Sequence, residues 1–263
     1  TNKSLYYHIK KAGFNADKVS NNETNFDISN FKYFIEPHIE QGPVLEKKKI
    51  PLGIVTGIRG SFRYRDAFCK GDYLHSGATP FDYRKDSVVA VSMLVNEMNI
   101  YWKKQLKKNK DLVITFGQFF TDKKEHSFAK SSGLVNFCID VRSSSNKILE
   151  IANKTLIKKI KLIEKKTNTK FNLGKQTNSQ PALMDKKLIK IFQKYSKERS
   201  IKFEIMASGA GHDASVFANY GIPSIMLFIR NKNGSHNPKE YMSIKQFFEA
   251  YKVLCGAIEN NYI

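Results

Sequence analysis

The sequence predicts an α/β protein in which one sheet-forming unit is interrupted by a separate α+β unit. Two observations carry this prediction. The pattern of apolar and polar residues changes at Arg59 and returns to its earlier character near Gln180. Beyond Gln180, the continuous apolar run over 224–229 is typical of a parallel strand that is buried on both faces.

Residues 1–57 form the first segment of the interrupted unit. Pro37 is expected to stop regular strand pairing, because proline lacks the N–H that a sheet ladder needs, and Gly42-Pro43 is expected to force a turn. The predicted elements of this segment are a helix over 4–13, a polar loop up to Ser29, a short buried strand that ends at 34–35 and a strand over 52–58.

The inserted unit is predicted to span residues 58–175. Its order of strand, helix, strand, strand, helix, strand is that of a ferredoxin-like fold, and about 115 residues is a natural size for one domain. Apolar residues recur at helical spacing in two of its stretches and alternate with polar residues in the others. The predicted elements are strands over 61–74, 111–120, 134–142 and 170–173, and helices over 88–102 and 148–163.

The chain returns to the first unit over residues 176–263. A glycine loop at 208–213 follows one predicted strand, and a polar loop at 234–240 follows another. The predicted elements are a helix over 188–195, a strand over 201–206, a short helix after the glycine loop, a strand over 224–229 and a last helix that Ser243 begins.

The formal net charge of +20 is the most unusual feature of the composition. A nucleic acid or an anionic membrane surface would explain such a charge. However, the lysines are scattered along the chain at positions where amphipathic helices need a solvated face. We therefore interpret the charge as biased composition, and the sequence predicts no nucleic-acid partner.

Three cysteines (Cys69, Cys138 and Cys255) are odd in number and widely spaced. They are typical of reduced thiols in a cytoplasmic protein and form no zinc-binding pattern. The first residues contain no signal-peptide core, and no apolar run approaches the length of a membrane span. The sequence therefore predicts a cytoplasmic protein without a membrane partner.

Four loops carry more polar chemistry than a loop requires, and they contain His38, His75, His212 and His236. Three of them follow a predicted strand directly, where open α/β sheets place their sites. His38 lies between two carboxylates and close to Gln41, so the neighbouring carboxylates are expected to fix its tautomer for a zinc or manganese ion. Each histidine taken alone is equally consistent with an ordinary structural role.

Five strings of residues, taken together and in order, resemble a known group of enzymes. This group contains the N-carbamoyl-L-amino-acid hydrolases, the allantoate amidohydrolases and the related ureidoglycine and β-ureidopropionase enzymes. They belong to the aminoacylase and carboxypeptidase-like clan of binuclear metallohydrolases, and the resemblance runs from about residue 30 to the end of the chain. The strings are H-I-E-Q-G-P-V-L-E (38–46), G-I-V-T-G-I-R-G (53–60), H-S-G-A-T-P (75–80), S-G-A-G-H-D-A (208–214) and S-H-N-P-K-E (235–240).

The resemblance implies a catalytic α/β domain with two divalent metal ions, zinc or manganese. It also implies that the inserted ferredoxin-like domain acts as a lid and forms a homodimer. By this resemblance His38 is a ligand of one metal and His236 a ligand of the other. His75 would reach into the site of the partner subunit and stabilise the oxyanion of the tetrahedral intermediate.

The resemblance also implies a small-molecule substrate with a carboxylate. Arg142 matches the arginine that binds this carboxylate, which is a natural bidentate pairing. Gln41 and the glycine loop, through Gly209 and Gly211, match positions that contact the substrate. An asparagine is usual in the family thirteen residues before this arginine, whereas this chain has Ala129 there.

Members of the group carry further metal ligands and the general base upstream, in a His-x-Asp segment, a bridging Asp and a Glu-Glu pair. Nothing in residues 1–30 resembles these segments. We therefore expect this chain to be an N-terminally incomplete piece that is inactive alone. With His38 and His236 as its two expected ligands, it should bind metal weakly.

The function predicted from the sequence is hydrolysis of non-peptide C–N bonds in N-carbamoyl amino acids or in ureido substrates such as allantoate. One alternative is a dipeptidase or aminoacylase of the same clan, against which the H-I-E-Q-G-P string argues. Another is a non-catalytic remnant that only dimerises, or a basic protein that binds nucleic acid. Metal content and the upstream reading frame would separate these alternatives.

Overall fold

The computed structural model of the chain describes residues 2–23 and 27–260. The helices are α1 (Leu5–Lys11), α2 (Ala16–Ser20), α3 (Val44–Lys48), α4 (Ser87–Leu106), α5 (Asn146–Thr167), α6 (Lys186–Glu198), α7 (Asp213–Asn219) and α8 (Ile244–Glu259). The strands are β1 (Phe34–Ile39), β2 (Leu52–Ile58), β3 (Gly60–Lys70), β4 (Val113–Thr121), β5 (Leu134–Ser143), β6 (Lys170–Asn172), β7 (Gln176–Ser179), β8 (Ala182–Leu183), β9 (Phe203–Ser208) and β10 (Ser224–Ile229).

The first sheet has the order β1-β10-β2-β8, and β9 also pairs with β2. β10 runs parallel to β1 and antiparallel to β2, and all six of its residues are buried. Helices α6 and α8 cover one face of this sheet, with Phe192 and Val253 in the core. Helices α3 and α7 cover the other face, where Leu45 and Ala214 are buried. The prediction of a mixed α/β protein is confirmed.

The second sheet is antiparallel throughout and has the order β4-β5-β3-β6, with β7 also paired to β3. Helices α4 and α5 pack on one of its faces, and every second residue of β5 is buried there. Strand, helix, strand, strand, helix, strand is the order that the sequence predicts. Because β7 joins β3, this sheet extends to Ser179, four residues beyond the predicted boundary at 175.

The chain passes from the first sheet to the second between β2 and β3 and returns between β7 and β8. These two crossings lie side by side. β2 pairs with β8 through Gly57 and Leu183, and β3 pairs with β7 through Ser61 and Ser179. Between these pairs, Gly60 lies against the backbone of the returning segment. A Cβ atom on Gly60 would be 2.3 Å from the backbone nitrogen of Pro181, so no other residue fits without movement.

The expectation that Pro37 stops strand pairing is wrong. Pro37 lies inside β1, opposite Leu227 of β10. Within the described residues β1 is the edge strand of the first sheet, and an edge strand tolerates proline because one side of its backbone needs no ladder partner.

The predicted polar loop before β1 contains the short helix α2, which Asn15 begins by accepting hydrogen bonds from the N–H groups of Asp17 and Lys18. Residues 24–26 of that loop lie outside the described residues. Among the helices of residues 2–23 and 27–260, none combines the length and the apolar character that a bilayer span requires.

Replacing Gly60 with alanine should lower the stability of the protein, because the new methyl group would press on the backbone of the returning segment. Overpacking of this kind lowers the free energy of unfolding by about 1–3 kcal/mol. Gly211→Ala is the matched control, since no heavy atom lies within 4 Å of its added Cβ. Urea unfolding followed by circular dichroism measures both variants, and equal midpoints for the two would contradict this view of the crossing.

Candidate functional site

His38 lies near the carboxyl end of β1, where its ring is held by a backbone carbonyl. The distance from His38 Nδ1 to the carbonyl oxygen of Ile39 is 2.7 Å. Because a carbonyl only accepts, Nδ1 carries the hydrogen and Nε2 keeps its lone pair for a metal or another donor. The expectation that a neighbouring carboxylate fixes this tautomer is therefore wrong.

Glu40, one of those carboxylates, has a structural role instead. Its side chain is buried and accepts hydrogen bonds from the N–H groups of Val44 at 2.8 Å and Leu45 at 2.7 Å. These N–H groups belong to the first turn of α3. The first N–H groups of a helix have no carbonyl within the helix to donate to, so they need another acceptor. Glu40 thus fixes the direction in which the chain leaves β1.

Gln41 and His236, which are 195 positions apart in the sequence, meet beside β1. The distance between Gln41 Nε2 and His236 Nε2 is 3.4 Å. Both residues have a left-handed backbone, with φ of 62° for Gln41 and 58° for His236. Such a backbone is costly for residues other than glycine and persists only where the surroundings hold it.

Asn231 helps to stabilise this backbone because it joins the loop after β1 to the loop after β10. Its Oδ1 accepts from the N–H of Gln41 at 3.1 Å, and its Nδ2 donates to the carbonyl of Gly234 at 2.8 Å. Asn231 is 1% exposed, so water does not replace either contact. The amide therefore fixes the loop after β1 relative to the loop after β10.

Glu240 stabilises the loop after β10 by a hydrogen bond within that loop. Its carboxylate accepts from the N–H of His236 at 2.9 Å. Two hydrogen bonds hold the pKa of Glu240 below its usual range. The larger effect comes from the Ser235 side chain and the smaller one from the N–H of His236. The nearby imidazoles of His236 and His38 act in the same direction, so this carboxylate stays ionised beside both.

Glu36 and His212 also lie against His38, although neither was predicted as a metal ligand. One ligand atom from each of the three residues lies within 4.8 Å of the others. The rings of His38 and His212 meet edge to face, with centroids 4.5 Å apart. The described residues thus contain a possible metal site with two imidazoles and one carboxylate.

Burial sets the charge of His212. Its side chain is 2% exposed, and burial, with a smaller contribution from His38, lowers its pKa to about 4 although Asp213 opposes the change. Two sequence signals could have identified these residues. Glu36 and His38 are two positions apart on a strand and so share a face, and His212 follows a glycine loop at a strand end.

Arg142 lies at the junction of the two sheets. Its guanidinium donates to both carboxylate oxygens of Asp140 and, through Nη1, to the carbonyl of Gly209 at 2.6 Å. Burial alone would raise the pKa of Asp140, but hydrogen bonds from Arg142 and Arg63 outweigh it and hold that pKa below its usual range. The structure therefore brings Arg142 and Gly209 together, while Gly211 has no atom near its Cβ position.

His75 lies in the loop after β3, and its ring is hydrogen-bonded to the backbone of the same loop. Its Nδ1 accepts from the N–H groups of Gly77 at 3.2 Å and Ala78 at 3.1 Å, so Nε2 carries the hydrogen. Asp86, not His75, caps the next long helix, α4. The carbonyl of Ala129 accepts from the N–H of Ser76 at 2.8 Å, which places residue 129 next to His75.

The sequence model of peptidase family M20/M25/M40 matches residues 13–260. The chain belongs to this family. The resemblance that the motifs predict is thereby confirmed.

Curated relatives support the same assignment. The chain is 32% identical to an N-carbamoyl-L-amino-acid amidohydrolase of Pseudomonas sp. (strain NS671), covering 98% of this chain and 61% of the relative. It is 32% identical to an allantoate amidohydrolase of Escherichia coli (strain K12), covering 85% of this chain and 53% of the relative. The chain thus spans between about half and three fifths of the length of these proteins.

A solved structure shows the same fold. A hydantoinase/carbamoylase family amidase from Burkholderia multivorans superimposes with a TM-score of 0.78 at 25% identity. The match covers 86% of this chain and 54% of that one.

Replacing Asn231 with alanine should remove two partly buried hydrogen bonds that join the two loops. Each such bond contributes about 0.5–1.5 kcal/mol, so we expect the free energy of unfolding to fall by about 1–3 kcal/mol. The matched control is Asn172→Ala, which removes an exposed contact to the N–H of Gly174. Denaturant unfolding measures both variants. A loss for Asn231→Ala no larger than that of the control would contradict the role assigned to this amide.

Proposed function

We propose that this chain forms part of a metal-dependent hydrolase of non-peptide C–N bonds. Its substrates would be N-carbamoyl amino acids or ureido compounds of the allantoate type. The observation that carries this proposal is the meeting of Gln41 and His236 beside the strand that carries His38. Two curated relatives are an N-carbamoyl-L-amino-acid amidohydrolase and an allantoate amidohydrolase, which supports the substrate class.

The imidazoles fit the two divalent ions, zinc or manganese, that the family resemblance implies. His38 keeps a lone pair on Nε2 because its Nδ1 donates to a carbonyl. His236 Nε2 faces the Gln41 amide at 3.4 Å on the surface, a contact that a bound ion would replace. We propose that His38 holds one ion and His236 the other. When bound, two such ions activate a water molecule and polarise the carbonyl group of a substrate.

Arg142 is the residue we propose for the substrate carboxylate. Its side chain is 33% exposed, and Asp140 orients it through two oxygens. A substrate carboxylate would replace the Gly209 carbonyl as the partner of Nη1. Gln41, Gly209 and Gly211 would then contact the rest of the substrate, and Ala129 offers no polar group of its own.

We propose that the two sheets are the cores of two domains, with residues 58–175 inserted between 1–57 and 176–263. The inserted domain would form a homodimer through the surface made by α4 and the edge strand β4. That surface exposes apolar side chains, which soluble proteins usually cover with a partner. They include Val89, Ile100, Phe119 and Phe120. Three free cysteines are consistent with a cytoplasmic location.

In this homodimer, we propose that His75 acts in the site of the partner subunit. The hydrogen bonds to Nδ1 fix the neutral tautomer in which Nε2–H is a donor. A donor of this kind can stabilise the oxyanion that develops as water adds to the carbonyl group.

Ammonia release from allantoate and from N-carbamoyl-L-amino acids tests the proposed function. The protein should be extended upstream with the His-x-Asp and Glu-Glu segments that the family resemblance implies, and assayed with zinc or manganese. We expect metal-dependent ammonia release that His236→Ala abolishes, with His126→Ala as the matched control outside the site. A folded, metal-loaded protein that cleaves dipeptides and neither ureido substrate would refute the proposal.

Mixing two inactive variants of the same extended protein tests the shared site. His75→Ala should lower turnover by about 100- to 1000-fold, as loss of an oxyanion donor does, with little effect on metal binding. A mixture of His75→Ala and His236→Ala subunits should recover activity, because one composite site of each heterodimer is intact. If subunit exchange is confirmed by mass and activity stays absent, the site is not shared between chains.

A further inference from the structure

A second arginine, Arg63, lies beside Arg142, the residue proposed for the substrate carboxylate. Arg63 is on β3 directly opposite Asp140 of β5, and its Nε donates to Asp140 Oδ2 at 3.0 Å. Nη2 of Arg142 donates to the same oxygen at 2.7 Å. The side chains of Arg63 and Arg142 are 28% and 33% exposed, so a ligand can reach both. Two guanidinium groups therefore flank one carboxylate on the second sheet.

Asp140 does not satisfy the two arginines equally. Arg142 donates to both of its oxygens, through Nε at 3.1 Å and Nη2 at 2.7 Å. Arg63 contributes only Nε, and in the part of the chain that the structure describes its two terminal nitrogens donate no hydrogen bond. Thr177 lies opposite Arg63 on β7, but its buried Oγ1 has no hydrogen-bond partner in that part of the chain. Arg63 thus keeps a pair of donors in the planar arrangement that suits a carboxylate.

Arg59, the third arginine at the junction of the two sheets, is paired differently. Its Nε donates to both oxygens of Asp111, at 2.8 Å and 3.1 Å, and its Nη2 lies 2.7 Å from Oδ1. Arg59 therefore has a carboxylate of its own, whereas Arg63 shares Asp140 with Arg142. A partly buried guanidinium in the position of Arg63 favours the binding of an anion.

The positions of Arg63 and Arg142 suit two anions rather than one. Nη1 of Arg142 donates to the Gly209 carbonyl of the first sheet, and Arg142 pairs with Ser61, which is nearer the chain crossing than Arg63 is. Asp140 accepts from both guanidinium groups, so a single substrate carboxylate on Nη1 of Arg142 would have to displace it to reach Arg63. The field of a chain with a formal net charge of +20 also favours a dianion over a monoanion.

We infer that Arg63 binds a second carboxylate of the substrate. The substrate of the proposed hydrolase is then a ureido compound with two carboxylates, such as the N-carbamoyl derivative of aspartate or glutamate. Arg142 binds the carboxylate next to the ureido group, and Arg63 binds the carboxylate of the side chain. This inference rests on the proposed function for the role of Arg142 and narrows its substrate class.

Nuclear magnetic resonance of the chain as it stands, labelled with ¹⁵N-arginine, tests the inference without requiring turnover. N-carbamoyl-L-glutamate and N-carbamoyl-L-glutamine have the same shape and differ in the second carboxylate. We expect the glutamate compound to shift the Nε–H signals of Arg63 and Arg142, and the glutamine compound to shift that of Arg142 alone. Because both compounds engage Arg142, the glutamine compound controls for changes transmitted through Asp140. The aspartate and asparagine derivatives form a second, shorter pair.

The titration separates failure of this inference from failure of the proposed function. If the acidic compounds shift Arg142 and neither shifts Arg63 beyond its amide counterpart, the inference is overturned while the role of Arg142 stands. If neither arginine responds to any of the four compounds, the inference and the proposed role of Arg142 both fail.

Kinetics of the upstream-extended protein with metal give a second test. A hydrogen bond between charged groups predicts that kcat/KM is about 10- to 100-fold higher for an acidic compound than for its amide. Arg63→Gln should remove this preference and leave the amides nearly unaffected. Arg65→Gln, which alters an exposed arginine of the same strand, is the matched control and should keep the preference. Equal hydrolysis of acid and amide, or hydrolysis of allantoate alone, would overturn the inference. Activity toward no ureido compound would refute the proposed function instead, with the titration still deciding the inference.

Discussion

The rest of the structure depends on the close contact between the two chain crossings that join the sheets. Gly60 has no space for a Cβ atom against Pro181, and a Cβ atom on Gly57 would lie 2.9 Å from the carbonyl oxygen of Ala182. Because the outgoing and returning segments pair on both sides of this point, the second sheet begins and ends at one place on the first. That place adjoins the glycine loop, where the Arg142 guanidinium from one sheet meets the Gly209 carbonyl from the other.

Parallel pairing of β1 with β10 explains why residues from distant parts of the sequence share one site. The carboxyl ends of parallel neighbours lie at the same edge of a sheet, so the loops that follow them are adjacent. His38 lies on the first strand and His236 in the loop that follows the second. The buried amide of Asn231 then joins the two loops through one accepted and one donated hydrogen bond.

Much of this arrangement could be predicted from the sequence, because the long elements have strong periodicity and the site loops carry distinctive motifs. His38, Gln41 and His236 follow from those motifs. Glu36 and His212 were not predicted as metal ligands because their approach to His38 is tertiary: the first strand and the glycine loop meet only in the folded chain. The rule for Pro37 failed for a similar reason, since only the sheet order shows that β1 lies at an edge. Short elements such as α2 and β8 have too few residues for a periodic signal.

The left-handed backbone at Gln41, Asn233 and His236 restricts how this site can evolve. At such a φ, valine, isoleucine and threonine are strained by their branched Cβ, whereas glycine, asparagine and aspartate are tolerated. Few single substitutions would therefore preserve both the turn and a side chain that can bind a ligand. Change at these positions should proceed by exchange of whole loops, which carry the backbone conformation and the side chain together.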